Sequence, residues 1–428
     1  MSLKQFVKNL VPRSVVVTVR GFQVRLQYAL RSIAYRRKVK DVSSKDQINV
    51  LFFVLFESVW KLDRLYHLLE SDKSFNPIVV ICPVVNYGRE NMLDTMQKCY
   101  AYFKEAGYNV VKAYDEDADS YLDVKKEYSP DLIFYTSPYK GLIDDRYYID
   151  QFKNILTCYV PYYFGEVRDS YFINHPVHNF TWKYFVETEF HRIQSVQKMY
   201  NGGVNALVTG YPGVDNLLDP NYSPRDVWKI KDKKVKRLIW APHHSIFPDE
   251  CIYYSCFLLY SDFMLEMAQK YRDDIQIAFK PHPVLRNKLN QYWGKGKTDD
   301  YYHRWESMDN TFLENGGYVD IFLTSDAMIH DSGSFLIEYL YTGRPVMRTD
   351  KGVPYDKDFN DFALECLEHY YHASSESDVE GFITDLISGR DPMEEKRIRF
   401  AEEKLVPPAG VLPSLNIYKY LKNEFGKY

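Results

Sequence analysis

From residue 48 onward, short apolar runs alternate with longer stretches in which apolar residues recur every three or four positions. "INVLFFVLF", "NPIVVICPVV", "YNVVKAY", "PDLIFYTS" and "LTCYVPYYF" are runs of the kind found in strands covered on both faces, and "NMLDTMQKCYAYFKEAG" carries the helical period. A second series begins near residue 204 with "VNALVTG", "VKRLIWAPH", "DIQIAFKPHP", "DAMIHD", "RPVMRT" and "HYYHAS". Such alternation builds a parallel sheet with helices on its faces. The pattern predicts an α/β protein of two Rossmann-like domains facing a cleft, over residues 46–200 and 201–428, with closing helices at 377–390 and 412–426. A chain of 428 residues is long enough for two cores.

The first 45 residues follow a different rule. Residues 1–40 hold ten Lys or Arg and no Asp or Glu. Since the whole chain has 54 basic and 58 acidic residues, the rest carries a net −14. Within "GFQVRLQYALRSIAYRRKVK", Phe22, Leu26, Ala29, Leu30 and Ile33 share one helical stripe, Arg20, Arg31 and Lys38 lie on the far side, and Arg25, Arg36 and Arg37 flank it. Residues 1–45 are expected to form a basic amphipathic arm that meets anionic lipid through residues 1–40. A helix docked on the protein's own surface, or a solvated tail, is the alternative. No run reaches the ~20 apolar residues of a membrane span, and "SVVVTV" is short and followed by arginines, unlike a cleavable signal. Six cysteines without a CxxC pair or regular spacing fit a reduced compartment. The expected location is cytoplasmic, peripheral on the inner face of the cell membrane. Nucleic acid is not an expected partner, because no recognisable stacking module surrounds the basic residues.

Candidate chemistry gathers at strand ends in the second half. "GYPGVDNLL" follows "VNALVT", His243-His244-Ser245 follow "RLIWAP", Pro281-His282-Pro283 follow "IAFK", and His330-Asp331-Ser332-Gly333-Ser334 follow "AMI". In α/β units ligands bind at the carboxyl ends of strands, and three strands delivering His to one rim are hard to explain by packing. The stretch "DSGSFLIEYLYTGRP" predicts a turn and a helix closed by Gly343, so Ser332, Gly333 and Ser334 could cradle phosphate at a helix N-terminus while Glu338 reaches sugar hydroxyls. A serine N-cap with Asp331 satisfying the turn is the local alternative. A zinc site lacks the closed ligand spacing of structural sites, so no metal is expected. The acids of "YDEDAD" read as a solvated loop.

Together these four elements, in order over residues 205–350, resemble the carboxyl-terminal domain of the CDP-glycerol glycerophosphotransferase family. That family has the GT-B fold and moves glycerol phosphate, or a related polyol or sugar phosphate, from a CDP-linked donor to a membrane-attached glycan in cell-surface polysaccharide synthesis. The resemblance implies a transferase with no cofactor and no obligatory metal. It implies that His282 stabilises the leaving CMP and that Ser332 and Ser334 hold donor phosphates. Glu338 would meet the ribose, and His243, His244, Lys280, His330, Asp331 and Gly333 would complete the donor site. It also implies that the last helices can cross back to the first domain. The family's first-domain histidine base has no match in "YVPYYFGEVRD"; Glu166 or Asp169, or else His175 or His178, are the substitutes. "DSGSFLIEYLYTGRPV" is also similar to the diphosphate element of UDP-N-acetylglucosamine 2-epimerases and to other GT-B glycosyltransferases using nucleotide sugars. A non-catalytic membrane-surface binding protein would keep the fold without the chemistry.

Overall fold

The computed structural model describes residues 13–168, 173–232, 234–250, 253–352 and 357–427, with side chains from residue 19 onward. Its backbone divides into two compact units: Met1–Gly165, Asp169–Asp215 and Pro407–Tyr428 form the first, and Glu166–Arg168 and Asn216–Val406 the second.

The first unit is built on β1 (Ile48–Val54), β2 (Phe75–Ile81), β3 (Val110–Lys112), β6 (Leu132–Tyr135), β7 (Leu156–Tyr159), β8 (Lys183–Val186) and β9 (Ala206–Val208). They pair in the order β3-β2-β1-β6-β7-β8-β9, all parallel. Every residue of β6 and β7 is buried, which is why they read as unbroken apolar runs. The short hairpin of β4 (Tyr114–Asp115) and β5 (Ser120–Tyr121) carries the acidic "YDEDAD", whose Asp119 meets Arg89 and Tyr114 at the surface. Two expectations change here. "VNALVTG" supplies the last strand of the first sheet, so this unit runs to Asp215 rather than ending at 200. "GYPGVDNLL" therefore belongs with the first unit, where Asp215 accepts the Ser414 N–H at 3.1 Å and Asn416 donates to Thr209 O at 3.1 Å. That element anchors the final helix, Pro413–Phe425, whose Ile417, Leu421 and Phe425 are fully buried in the first unit's core.

The basic arm is a helix, Arg13–Ser43, with two faces. Val24, Tyr28, Arg31, Tyr35, Lys38 and Val42 follow a three-to-four spacing on the side packed against the first unit. Tyr35 donates to Phe180 O at 2.6 Å, Lys38 and Lys45 reach the buried carboxylate of Asp131 at 2.8 and 2.7 Å, and Arg31 pairs with Asp150. Phe22, Leu26, Leu30 and Ile33 lie on the opposite side and are 44–69% exposed. The helix is thus docked, and the apolar stripe found in the sequence is the face left open. Among the described residues no helix is long and apolar enough to cross a membrane.

The second unit contains β10 (Lys236–Ala241), β11 (Ile275–Phe279), β12 (Thr311–Leu313), β13 (Ala327–His330), β14 (Val346–Thr349) and β15 (Tyr371–Ala373). All are parallel, in the order β12-β11-β10-β13-β14-β15. Counted by appearance this is 3-2-1-4-5-6, the doubly wound order, and strand direction of winding reverses between β10 and β13. Ala241 pairs with His330, so both strands end at one level and their following loops lie side by side. Val319–Thr324 is a helix that leads into β13. One predicted element differs. The segment after Ser334 is a set of turns closing in a 3₁₀ helix, Glu338–Thr342, rather than an α-helix. Leu336, Ile337, Tyr339 and Leu340 are all buried there, and Phe335 packs on Tyr318 and Phe322. The closing helices appear at Glu376–Ser388 and Pro413–Phe425.

Candidate active site

At the winding reversal of the second sheet, Asp331 ties three elements together. The carboxylate is buried, and its two oxygens accept the backbone N–H groups of His243 and Cys256. It thereby joins the end of β13 to the loop after β10 and to the start of the helix Phe257–Lys270. Burial pushes its pKa up, while the two N–H groups and the nearby Arg348 and Lys351 oppose that rise. Asp331, expected among the donor contacts, is a brace beneath the site. His330 is likewise inside: its Nδ1 accepts Ser332 N–H, and its Nε2 donates to the Tyr370 hydroxyl, which itself donates to Leu336 O.

Held by that brace, His243 and His244 meet His282 from the neighbouring strand end. Ring centroids are 4.1 Å apart for His243 and His244, 4.3 Å for His244 and His282, and 5.3 Å for His243 and His282. Backbone bonds from Lys280 N to Trp240 O and from His282 N to Pro242 O fix the β11 end against the β10 end. Burial is the main cause that lowers all three imidazoles, to about 4 for His244 and His282 and about 2 for His243, where His244, His282, Lys288 and Arg348 add to it. At neutral pH the cluster is uncharged.

On the other side of the brace lie Ser332, Gly333 and Ser334. The Ser332 Oγ is buried and accepts Ser334 N–H at 3.1 Å, whereas Ser334 is exposed. A side chain at Gly333 would bring its Cβ within 3.1 Å of Glu166 Oε1. Glu166 is held there because residues 166–168 run beside 358–360: Asn360 N donates to Glu166 O at 2.7 Å and Arg168 N to Asp358 O at 2.8 Å. Expected as a residue of the first domain, Glu166 sits in the second unit against the serine loop. Glu338 is buried at the head of its 3₁₀ helix. Lys280 is buried, donates to Gly316 O at 2.6 Å, and is lowered to about 8 by burial. Asp169 lies outside the described residues. His175 and His178 belong to the first unit, where His178 stacks on Tyr184 and His175, lowered by burial to about 4, packs against Tyr139.

Sequence reading missed Arg348. It is fully buried in β14, donates to Ser332 O at 3.3 Å, pairs with Asp350 at 3.5 Å, and lies over the rings of Tyr254 and Phe359. The signal was present in "RPVMRT": an arginine inside a buried strand needs partners, since an uncompensated buried charge costs several kcal/mol, on the order of a whole side chain's burial.

The buried histidines carry a stability prediction. In the unfolded chain His243, His244, His282 and His330 take up protons as pH falls through about 6.5. Folded, they resist protonation until about 4 or below. The folded state then binds fewer protons, so stability present above pH 6.5 is lost as pH falls toward 4. The raised carboxyl of Asp331 and the imidazole of His372, raised by its bond to Asp350, act in the opposite sense, while His175 and His369, lowered by burial, add to the four. The urea midpoint at pH 5 is expected below that at pH 7.5; equal midpoints would contradict the neutral cluster.

Comparison with known proteins places this geometry. The chain resembles in structure a variant of the wall teichoic acid polymerase TagF, with a TM-score of 0.59 and 13% identity over 96% of this chain and 98% of that one. It also resembles a UDP-GlcNAc 2-epimerase from Neisseria meningitidis bound to UDP-GlcNAc, with a TM-score of 0.53 and 14% identity over 88% of this chain and 100% of that one. These likenesses establish the fold, two Rossmann-like domains of the GT-B class. No curated protein matches the chain in sequence. Residues 174–407, more than half of the chain, match the family described as CDP-Glycerol:Poly(glycerophosphate) glycerophosphotransferase. The three-histidine rim and the serine loop both lie inside that match, and the chain belongs to this family of transferases.

Proposed function

We propose that the protein transfers glycerol phosphate, or a related polyol or sugar phosphate, from a CDP-linked donor to a membrane-attached glycan in the synthesis of a cell-surface polymer. The observation that carries this reading is the convergence of His282, His243 and His244 with the Ser332–Ser334 loop at the winding reversal of the second sheet. Phosphoryl transfer asks a protein mainly for positioning and for stabilisation of charge. His282 donates a hydrogen bond to the oxygen on which negative charge grows as CMP leaves, and Ser334 donates to a donor phosphate oxygen. Glu166 accepts the acceptor's hydroxyl proton, a role supported by its carboxylate lying beside Gly333. Incubation with CDP-glycerol and a lipid-linked glycan should release CMP only when both are present. Release of UDP from a UDP-linked sugar instead would put the epimerase-like or nucleotide-sugar reading in its place.

A lipid-linked acceptor calls for a protein held at the membrane, and the arm fits that need. Its exposed stripe of Phe22, Leu26, Leu30 and Ile33 stands opposite the docked face, with exposed Arg25, Arg36 and Arg37 beside it. Apolar burial at about 25 cal/mol per Å² plus about 1 kcal/mol per basic residue is enough for reversible attachment to anionic lipid. Deleting the arm would also uncover the core around Tyr35 and Val42, so substitution is the cleaner test. The double variant Leu26→Glu, Leu30→Glu should lose most binding to phosphatidylserine vesicles and keep its melting temperature. Unchanged vesicle binding would refute the lipid contact.

A further inference from the structure

His243, His244 and His282 bring three ring nitrogens within 4.8 Å of one another, close enough for the cluster to be a candidate metal site. The hydrogen bonds behind the rings decide against that. A metal takes the lone pair of one ring nitrogen while the other keeps its proton and donates it to a carbonyl or carboxylate. Here the partners on the three Nδ1 atoms are donors. Ser245 Oγ already accepts Tyr254 N–H at 2.9 Å and Ser255 N–H at 3.4 Å, so its own proton goes to His243 Nδ1, 2.8 Å away, where Ser245 N–H also points at 3.3 Å. Lys288 Nζ, which has protons to give and, paired with Glu250, no lone pair, lies 2.9 Å from His244 Nδ1. Val284 N–H donates to His282 Nδ1 at 3.2 Å. Each Nδ1 is an acceptor, so each ring's proton must sit on Nε2.

We infer that Ser245 and Lys288 are positioning residues that, with the Val284 N–H, lock the three histidines in the Nε2–H form, making the cluster a receptor for a phosphate oxygen and not for a metal ion. His330 has the same tautomer, but its Nε2–H is taken by Tyr370, whereas among the described residues the three rim histidines have no hydrogen-bond partner on Nε2. Uncharged donors suit a group whose negative charge grows during reaction, because they favour the anion without holding the free donor or product as tightly as three cations would. The inference rests on the proposed phosphoryl chemistry for its purpose, while the tautomers stand independently of which nucleotide is used.

Imidazole ¹⁵N spectra of the histidine-labelled full chain test it. In the wild type, all three rim histidines are expected with a bare Nδ1 and a protonated Nε2, and inorganic pyrophosphate should shift their Nε2–H signals. Equimolar Zn²⁺ should not. Ser245→Ala should turn His243 into a mixture of tautomers and weaken pyrophosphate binding about 2- to 10-fold, with Ser245→Thr restoring both, since a hydrogen bond of ordinary strength is lost and regained. Lys288→Met should do the same to His244. Protonated Nδ1 in the wild type, or stoichiometric Zn²⁺ bound by all three rings, would overturn the inference. Correct tautomers with no pyrophosphate shift would refute the phosphate receptor even if a nucleotide binds elsewhere.

Discussion

His282→Ala is expected to lower turnover with a CDP-linked donor by about 10²–10³ while changing donor affinity much less. The reason lies in when the contact matters. A donor aimed at the leaving phosphate gains strength as the bond breaks, so its loss falls on the transition state more than on the bound ground state. Removal of one such group from a preorganised site typically costs roughly 3–4 kcal/mol. His282 is suited to this role because the Pro242 and Trp240 carbonyls hold its strand end and the Val284 N–H orients its ring. Ser334→Ala, by contrast, removes a contact present before and during transfer, so its loss of about 1 kcal/mol should appear in affinity. Steady-state kinetics and donor titration on the two variants check the contrast. A His282→Ala enzyme with near wild-type turnover would remove the leaving-group role.

The second large effect is on stability. Asp331→Ala is expected to destabilise the second unit by about 3–5 kcal/mol, because it strands two buried backbone N–H groups and leaves Arg348 and Lys351 with less compensation. For a unit of this size the melting temperature should drop on the order of 10 °C. Asp331→Asn should recover only part of the loss, since an amide offers one acceptor oxygen where the carboxylate offers two. Thermal unfolding followed by near-UV circular dichroism measures both. A change within about 1 kcal/mol for Asp331→Ala would mean that the carboxylate is not the brace the geometry makes it.

Why the sequence revealed some of this and hid the rest follows from particular residues. Strand ends were legible wherever a run of at least four buried residues stops at polar ones, as residues 238–241 of β10 do before Pro242 and His243, β11 before Lys280 and β13 at His330 and Asp331. Strand β8 was not, because Lys183 and Tyr184 are only half-buried and the apolar run shrinks to two residues. The placement of "VNALVTG" was invisible for another reason: β9 has the same local pattern as the second-sheet strands, and only its pairing with β8 assigns it to the first sheet. The arm's stripe was read correctly as one face of a helix, yet its docked side rests on Tyr35, Arg31 and Lys38, residues whose partners lie 93 to 145 positions away. Within the site, spacing found the histidines, but it could not tell the buried carboxylate of Asp331 from the exposed side chain of Ser334. Burial and bonding direction separate them, and neither is written locally.

Binding of a cytidine diphosphate donor at the rim of the second sheet can be read from a nucleotide titration. CMP, CDP, UDP, GDP and CDP-glycerol should be titrated by calorimetry against the full chain and against His282→Ala. CDP-glycerol and CDP should bind under the proposed donor role, UDP and GDP should bind at least tenfold more weakly, and His282→Ala should retain most donor affinity. Tighter binding of UDP than of every cytidine nucleotide, or binding of none of the five, would contradict it.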